Sequence, residues 1–232
     1  MPTEHGGGRA HAPRVRTLAR STFKDRPAER LVRLFGGLIA FALSMSLMVR
    51  ANVGLGPWDV LHEGISRHTG IPFGDVTIIV GLVVLLAWIP IGQRPGFGTV
   101  ANVIVIGLAV DGFLAVIATP TAMPLRVVMC AAGILLNGVA TGCYIGAGLG
   151  PGPRDGLMTG LAARGHSIRV VRTCIELSVL ALGIALGGDF GVGTIAFALL
   201  IGPIAHVTIP WFSIDGPANP AGPPMRTAPD TP

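Results

Sequence analysis

The sequence predicts an all-α fold: a polytopic membrane helix bundle of about six transmembrane helices. They are arranged as two inverted three-helix repeats, each with a Gly-Leu-Gly-Pro break and a short amphipathic helix. Three observations carry that prediction. Several uninterrupted apolar runs reach about 18 residues or more, the length that crosses a bilayer. Half of the 232 residues are hydrophobic and only 12% are charged, against about 25% charged in soluble domains. Finally, the break at Gly54-Leu55-Gly56-Pro57-Trp58-Asp59 returns as Gly148-Leu149-Gly150-Pro151, with two extra residues before Asp155 and Gly156.

Charge excludes one alternative class. The net charge of +5 is concentrated before residue 34, in Arg9, Arg14, Arg16, Arg20, Lys24, Arg26, Arg30 and Arg33. A basic tail ahead of a hydrophobic span is a topogenic and lipid-headgroup signal. Without interleaved aromatics it does not mark a nucleic-acid-binding surface. Cys130, Cys143 and Cys174 are odd in number and lack C-x-x-C spacing, so neither a disulfide framework nor a zinc site is expected. No cofactor-binding pattern is present.

Taken in order, residues 1–30 form a Gly-, Pro- and Arg-rich tail expected to be disordered. The first repeat covers residues 31–119. Its first span runs from about Leu31 to Arg50, too long for a signal-peptide core and without a cleavage site. Pro57 then suits the first turn of a new helix, where its missing N–H costs nothing. In that helix Trp58, Leu61 and Ile65 share one face, and Asp59, His62, Glu63 and Arg67 fall elsewhere. At about eleven residues it cannot span a bilayer. It either lies in the interface or dips into the protein as a half-helix.

The second span is expected from about Phe73 to Ile91 and the third from about Thr99 to Ala118. The second repeat covers residues 120–212. It places a fourth span from about Leu125 to Ile145, the second break, and a short segment from Pro153 to Arg164. A fifth span follows near Ile168–Leu186 and a sixth near Thr194–Phe212. Residues 213–232 are a Pro-rich tail, again expected to be disordered. Six spans with a cytoplasmic N-terminus put fourteen Arg and Lys inside and three outside. The positive-inside rule therefore favours both termini in the cytoplasm. Trp58, Trp88 and Trp211 all fall near span ends, as an aromatic belt would place them.

At an offset of 94 to 96 residues, Gly54, Leu55, Gly56, Pro57 and Asp59 meet Gly148, Leu149, Gly150, Pro151 and Asp155. Gly98, Thr99, Ala101 and Gly107 meet Gly193, Thr194, Ala196 and Gly202. Three spans per copy is odd, so the second copy enters the membrane from the opposite side, which is inverted topology. Interrupted helices at matching positions of two inverted halves mark the solute site in many secondary transporters. The breaks are equally compatible with tight helix–helix turns at the headgroups.

The stretches Val53-Gly54-Leu55-Gly56-Pro57-Trp58-Asp59-Val60-Leu61 and Gly148-Leu149-Gly150-Pro151-Gly152-Pro153-Arg154-Asp155-Gly156-Leu157 resemble the paired motifs of YczE-like bacterial membrane proteins. That family is distantly similar to the YitT group. The resemblance covers about residues 30 to 212 and implies a multi-pass protein of the bacterial inner membrane. It carries no catalytic assignment.

The candidate residues on a substrate or ion pathway are Asp111, His206, Glu176, Arg172 and Arg169. An ionisable group inside a span costs several kcal/mol, roughly 2.5–3.5 on insertion scales, unless it is paired or hydrated. Asp111 in the third span has His206 as its repeat counterpart. Together they form a proton-linked pair, or Asp111 snorkels to water and His206 is a hydrogen-bonded core residue. Arg169, Arg172 and Glu176 share a face at the start of the fifth span, with Arg172 and Glu176 close enough to pair. The two arginines serve as topogenic anchors or receive an anionic group. Asp59 and Asp155 occupy the first turns of the short helices, where the helix dipole favours acids, or bind a cation. Gly138, Gly142, Gly146 and Gly150 form a small-residue stripe for internal or dimer contacts, which leaves a homo-oligomer open.

No nucleotide loop, metalloprotease or nucleophile-elbow pattern is present, so an enzyme is not expected. The sequence points to a permease or secondary transporter for an unknown small solute or ion. The competing expectation is a non-transporting membrane scaffold or regulatory protein that acts through a partner.

Overall fold

In a computed structural model, residues 26–214 are described and form eight helices. The expected disorder of the two tails concerns residues that lie, but for a few, outside this range. The helices are α1 (Pro27–Ala51), α2 (Pro57–Thr69), α3 (Phe73–Ile91), α4 (Phe97–Val116), α5 (Met123–Gly146), α6 (Pro153–Ala162), α7 (Ile168–Ala185) and α8 (Val192–Phe212). The chain is a polytopic, all-helical membrane protein. Five helices, α1, α3, α4, α5 and α8, are long and apolar enough to cross a bilayer. The expected fifth span, α7, is 18 residues long but carries Arg169, Arg172 and Glu176. Large apolar side chains face outward all along the bundle, among them Leu86, Leu108, Val128 and Leu199. Such a surface suits lipid rather than water.

Local chemistry explains the ends. Prolines open α1, α2 and α6 at the first helical turn, where no N–H is needed. Asn52, Gly70 and Gly92 close α1, α2 and α3 in the left-handed conformation. Helix α1 starts four residues before the expected boundary, and its arginines do more than mark topology. Arg30 is buried and donates to the carbonyl of Ala147 at the end of α5 (2.8 Å). Arg33 donates to Phe212 at the end of α8 (2.5 Å). At the other end of the bundle, Arg50 donates to Leu114 near the end of α4. Each cation satisfies carbonyls that a helix C-terminus leaves unpaired.

Packing is organised around α1 against α5, with α4 on α1 and α8 on α5. The glycine stripe on α5 faces α8: a Cβ on Gly138 would strike Ile204, on Gly142 Thr208, and on Gly146 Phe212. Its contact is therefore internal. The short helices leave their own half of the chain: α2 packs chiefly on α7, and α6 on α3. In the first half α3 also packs along α4, whereas α7 stands apart from α8.

The two breaks share one backbone shape. Gly54 and Gly150 have φ of +123° and +125°. Gly56 and Gly152, which precede α2 and α6, have φ/ψ of −61°/152° and −62°/159°. The breaks therefore correspond at an offset of 96, Gly54–Asp59 with Gly150–Asp155, and no insertion separates them. The expected register, Gly54 on Gly148 and Pro57 on Pro151, slips by two, because the Gly-Leu-Gly-Pro letters recur two residues ahead of the shape.

Each break docks on the start of the other half's last helix. Gly193 donates to the carbonyl of Val53 (2.9 Å), and Gly98 donates to that of Leu149 (2.8 Å). Thr194 Oγ1 accepts from the N–H of Leu55 (3.1 Å), while Thr99 Oγ1 donates to the carbonyl of Pro151 (2.8 Å). The polarity reverses because Pro151 has no N–H to give.

Candidate functional site

The first two turns of α2 are buried on every side, from Pro57 to Gly64. The expected separation into an apolar and a charged face does not lay this helix on a surface. Asp59 and His62 are only 3% and 1% exposed. The helix starts inside the bundle because its break is anchored on α8 and the polar face finds partners there. Helix α6 starts inside likewise, with Pro153 and Gly156 buried. The two helix starts meet at a cavity of 410 Å³ bounded by α1 to α8, within the size range of small-molecule sites.

Its charged groups come from both breaks and from α7. Arg154 reaches Asp59 across the cavity wall (Nη2 to Oδ1, 3.4 Å) and lies over the ring of Trp58 (5.1 Å to the centroid). His62 Nδ1 stands 3.6 Å from the same Asp59 oxygen and 3.3 Å from Thr77 Oγ1. Tyr144 of α5 donates its hydroxyl to Asp155 Oδ2 (2.8 Å). Asn137 donates to Ser44 (2.9 Å). Removing charges from water costs more than a single contact returns unless partners are close, so this cluster is specified by structure on several elements.

Glu176 and Arg172 both line the cavity from α7. The expected pairing between them is not formed: neither makes a hydrogen bond or ion pair with any described residue. The walls are otherwise apolar and aromatic, with Phe41, Trp58 and Phe197 prominent.

Of the remaining sequence candidates, Asp111 lies outside the cavity lining and caps a helix. Its Oδ1 accepts the N–H of Gly74 in the first turn of α3 (2.7 Å). His206 is exposed on the outer side of α8, and Arg169 is exposed at the start of α7. The structure does not bring these three together with the cavity residues. Asp59 and Asp155 do meet there. Gly54, Gly56, Gly150 and Pro151 form the docked breaks, and Gly148 ends the turn before the second. Trp58 and Trp88 are 5% and 1% exposed, so the aromatic-belt expectation fits only Trp211, 80% exposed. Trp88 instead donates its indole N–H to Pro153 (3.0 Å) and fills the space over Gly156.

Arg154, Tyr144 and His62 were not singled out from the sequence. With the breaks aligned at 96, Arg154 falls opposite Trp58, and that one charge difference between the two turns, Leu55 against Pro151 being the other change, was the available signal.

Comparisons place the chain among relatives of the same size. It is 42% identical over 175 residues to an uncharacterized protein of Haemophilus influenzae, spanning 73% of this chain and 80% of that one. It is 33% identical over 179 residues to the uncharacterized membrane protein YczE of Bacillus subtilis, spanning 76% and 83%. No solved structure matches it. Residues 28–210 match a family of unknown function, DUF6198, and the chain belongs to that family of YczE-like membrane proteins.

Proposed function

We propose that the protein is a small-solute permease or secondary transporter of the bacterial inner membrane, with six membrane crossings in two inverted repeats and both termini cytoplasmic. The observation that carries this reading is the meeting of Asp59 and Arg154 at one internal cavity, each delivered by the start of an interrupted helix. Irregular backbone at membrane depth persists where protein covers it or where it lines a cavity, and the two breaks do both. Reciprocal docking of each break on the other half's last helix supports a pseudo-two-fold relation between the halves.

The ends of α7 support a sixth crossing. Near its start Arg164 bonds Pro90, at the end of α3 where Gly92 closes that helix. Beyond its far end Gly187 accepts from Arg67 (3.0 Å) and Asp189 donates to Glu63 (2.7 Å). Those partners belong to the α2–α3 end of the bundle. Arg169, Arg172 and Glu176 are compatible with a crossing helix because two of them face the cavity or its mouth rather than lipid.

A thermal-shift screen of the detergent-purified protein against ions and small metabolites tests this reading. A ligand at about 100 times its Kd stabilises by roughly 2.7 kcal/mol. A shift seen in the wild type and lost in Glu176→Gln is the expected result. Silence across the panel, with a stable protein partner recovered from membranes, favours the scaffold instead.

A further inference from the structure

We infer that the cavity takes an apolar-bodied zwitterion, a molecule carrying one ammonium-type and one anionic group. This rests on the permease reading of the same cavity. The argument is one of unspent hydrogen-bonding capacity. Glu176 has four acceptor sites and no hydrogen-bond partner among the described residues, although the Arg154 and Arg172 charges act on it, and Asp155 uses one oxygen, on Tyr144. Arg172 has five N–H donors and no described acceptor, and Arg154 spends one N–H on Asp59 at 3.4 Å. Glu176 is half-buried and Arg172 is exposed where it lines the cavity, and a ligand that makes charge-assisted hydrogen bonds to both needs both signs.

A purely anionic ligand would leave Glu176 opposed, and a purely cationic one would leave Arg172 opposed. The remaining walls, Phe41, Phe197, Ile106 and Ile201 among them, suit an apolar body. The seam between α7 and α8, which pack little against each other, borders the same cavity through Leu177 and Ala198. It gives a lateral route by which the zwitterion arrives either from water or as the headgroup of an aminophospholipid.

The test is binding to the full-length purified protein, by thermal shift and by calorimetry, using matched probes of three charge types. One set is leucine, phenylalanine and tryptophan, each beside its amide and its N-acetyl derivative. The other is dihexanoyl phosphatidylethanolamine beside dihexanoyl phosphatidylglycerol. The expected result is binding of a free amino acid, or of the ethanolamine lipid, that is lost when either charge is capped. Glu176→Gln and Arg172→Gln should each weaken it about tenfold or more, the weight of a charge-assisted hydrogen bond. Which set binds identifies the source.

Equal or tighter binding of the amides overturns the zwitterion in favour of a cation, and the permease reading stands. Equal binding of the N-acetyl forms or of phosphatidylglycerol overturns it in favour of an anion, again leaving that reading intact. No binding by any probe overturns the zwitterion. Reagent access to a cysteine at Thr141 then decides separately whether the solute cavity survives.

Discussion

The Arg154 guanidinium stands 5.1 Å from the centre of the Trp58 ring while reaching Asp59 beside it. Each of Trp58 and Arg154 is the second residue of a short helix that follows a Gly-x-Gly-Pro turn. Two turns of the same shape, 96 residues apart, thus bring a ring and a cation face to face. The contact joins the halves at the cavity. It is also one of the two points, with Leu55 against Pro151, at which the copies of the motif differ.

The Asp59–Arg154 contact is expected to couple energetically. Asp59→Asn and Arg154→Gln, singly and together, should give a double-mutant coupling of about 1–3 kcal/mol in thermal or denaturant unfolding. A coupling within about 0.3 kcal/mol of zero would show that the two charges act independently.

Gly54 and Gly150 are held where a side chain is both strained and obstructed. At Gly54 an added Cβ would lie 2.7 Å from Thr194 N, and at Gly150 2.8 Å from Thr99 Oγ1. Each substitution to Ala should cost about 2 kcal/mol or more. Gly112 of α4 has nothing within 4 Å of the same point, so Gly112→Ala should be neutral or stabilise by up to about 1 kcal/mol. Unfolding midpoints of the three variants check the contrast.

Thr99 and Thr194 tie the breaks down. Thr99→Val leaves the Pro151 carbonyl and the Gly96 N–H without this partner. Thr194→Val does the same to the N–H groups of Leu55 and Gly191. Each loss should amount to about 1–3 kcal/mol, and protease sensitivity should rise at the break concerned. Equal sensitivity of both breaks in each variant would count against the reciprocal docking.

Asp111 is expected to matter for folding rather than for binding. Asp111→Ala removes the acceptor at the start of α3 and should cost about 1 kcal/mol, with ligand affinity unchanged. A lost ligand response in a variant of normal stability would return Asp111 to the solute pathway.

The long helices were legible because apolar runs of bilayer length have few other uses. Helix α3 matches its expected bounds, Phe73–Ile91, residue for residue. The break sites were legible too, since Gly and Pro interrupt those runs. Their register was not, because Gly148-Leu149-Gly150-Pro151 copies the letters of the first break while Gly150-Pro151-Gly152-Pro153 copies its shape. Asp111 looked like a pathway residue because sequence gives its depth in a span but not the Gly74 N–H beside it. Arg154 looked like one of several cytoplasmic charges, because nothing local shows that α6 turns inward and sets it on Trp58. Tyr144 and His62 depend on packing between helices far apart in the chain. Tyr144 carried no local signal beyond being polar in an apolar run, and His62 was one of several polar residues on the face it shares with Asp59 and Glu63.

The most direct measurement is water access to the cavity wall in native membranes. With Cys130, Cys143 and Cys174 replaced, single cysteines are placed at Thr141, which lines the cavity, and at Leu199, which is 69% exposed on the outer face of α8. Reaction with a small, charged methanethiosulfonate reagent is then timed. A hydrated solute site predicts that the cysteine at 141 reacts much faster than the one at 199. Equal, slow reaction at both positions would contradict it and leave the cavity a dry packing defect.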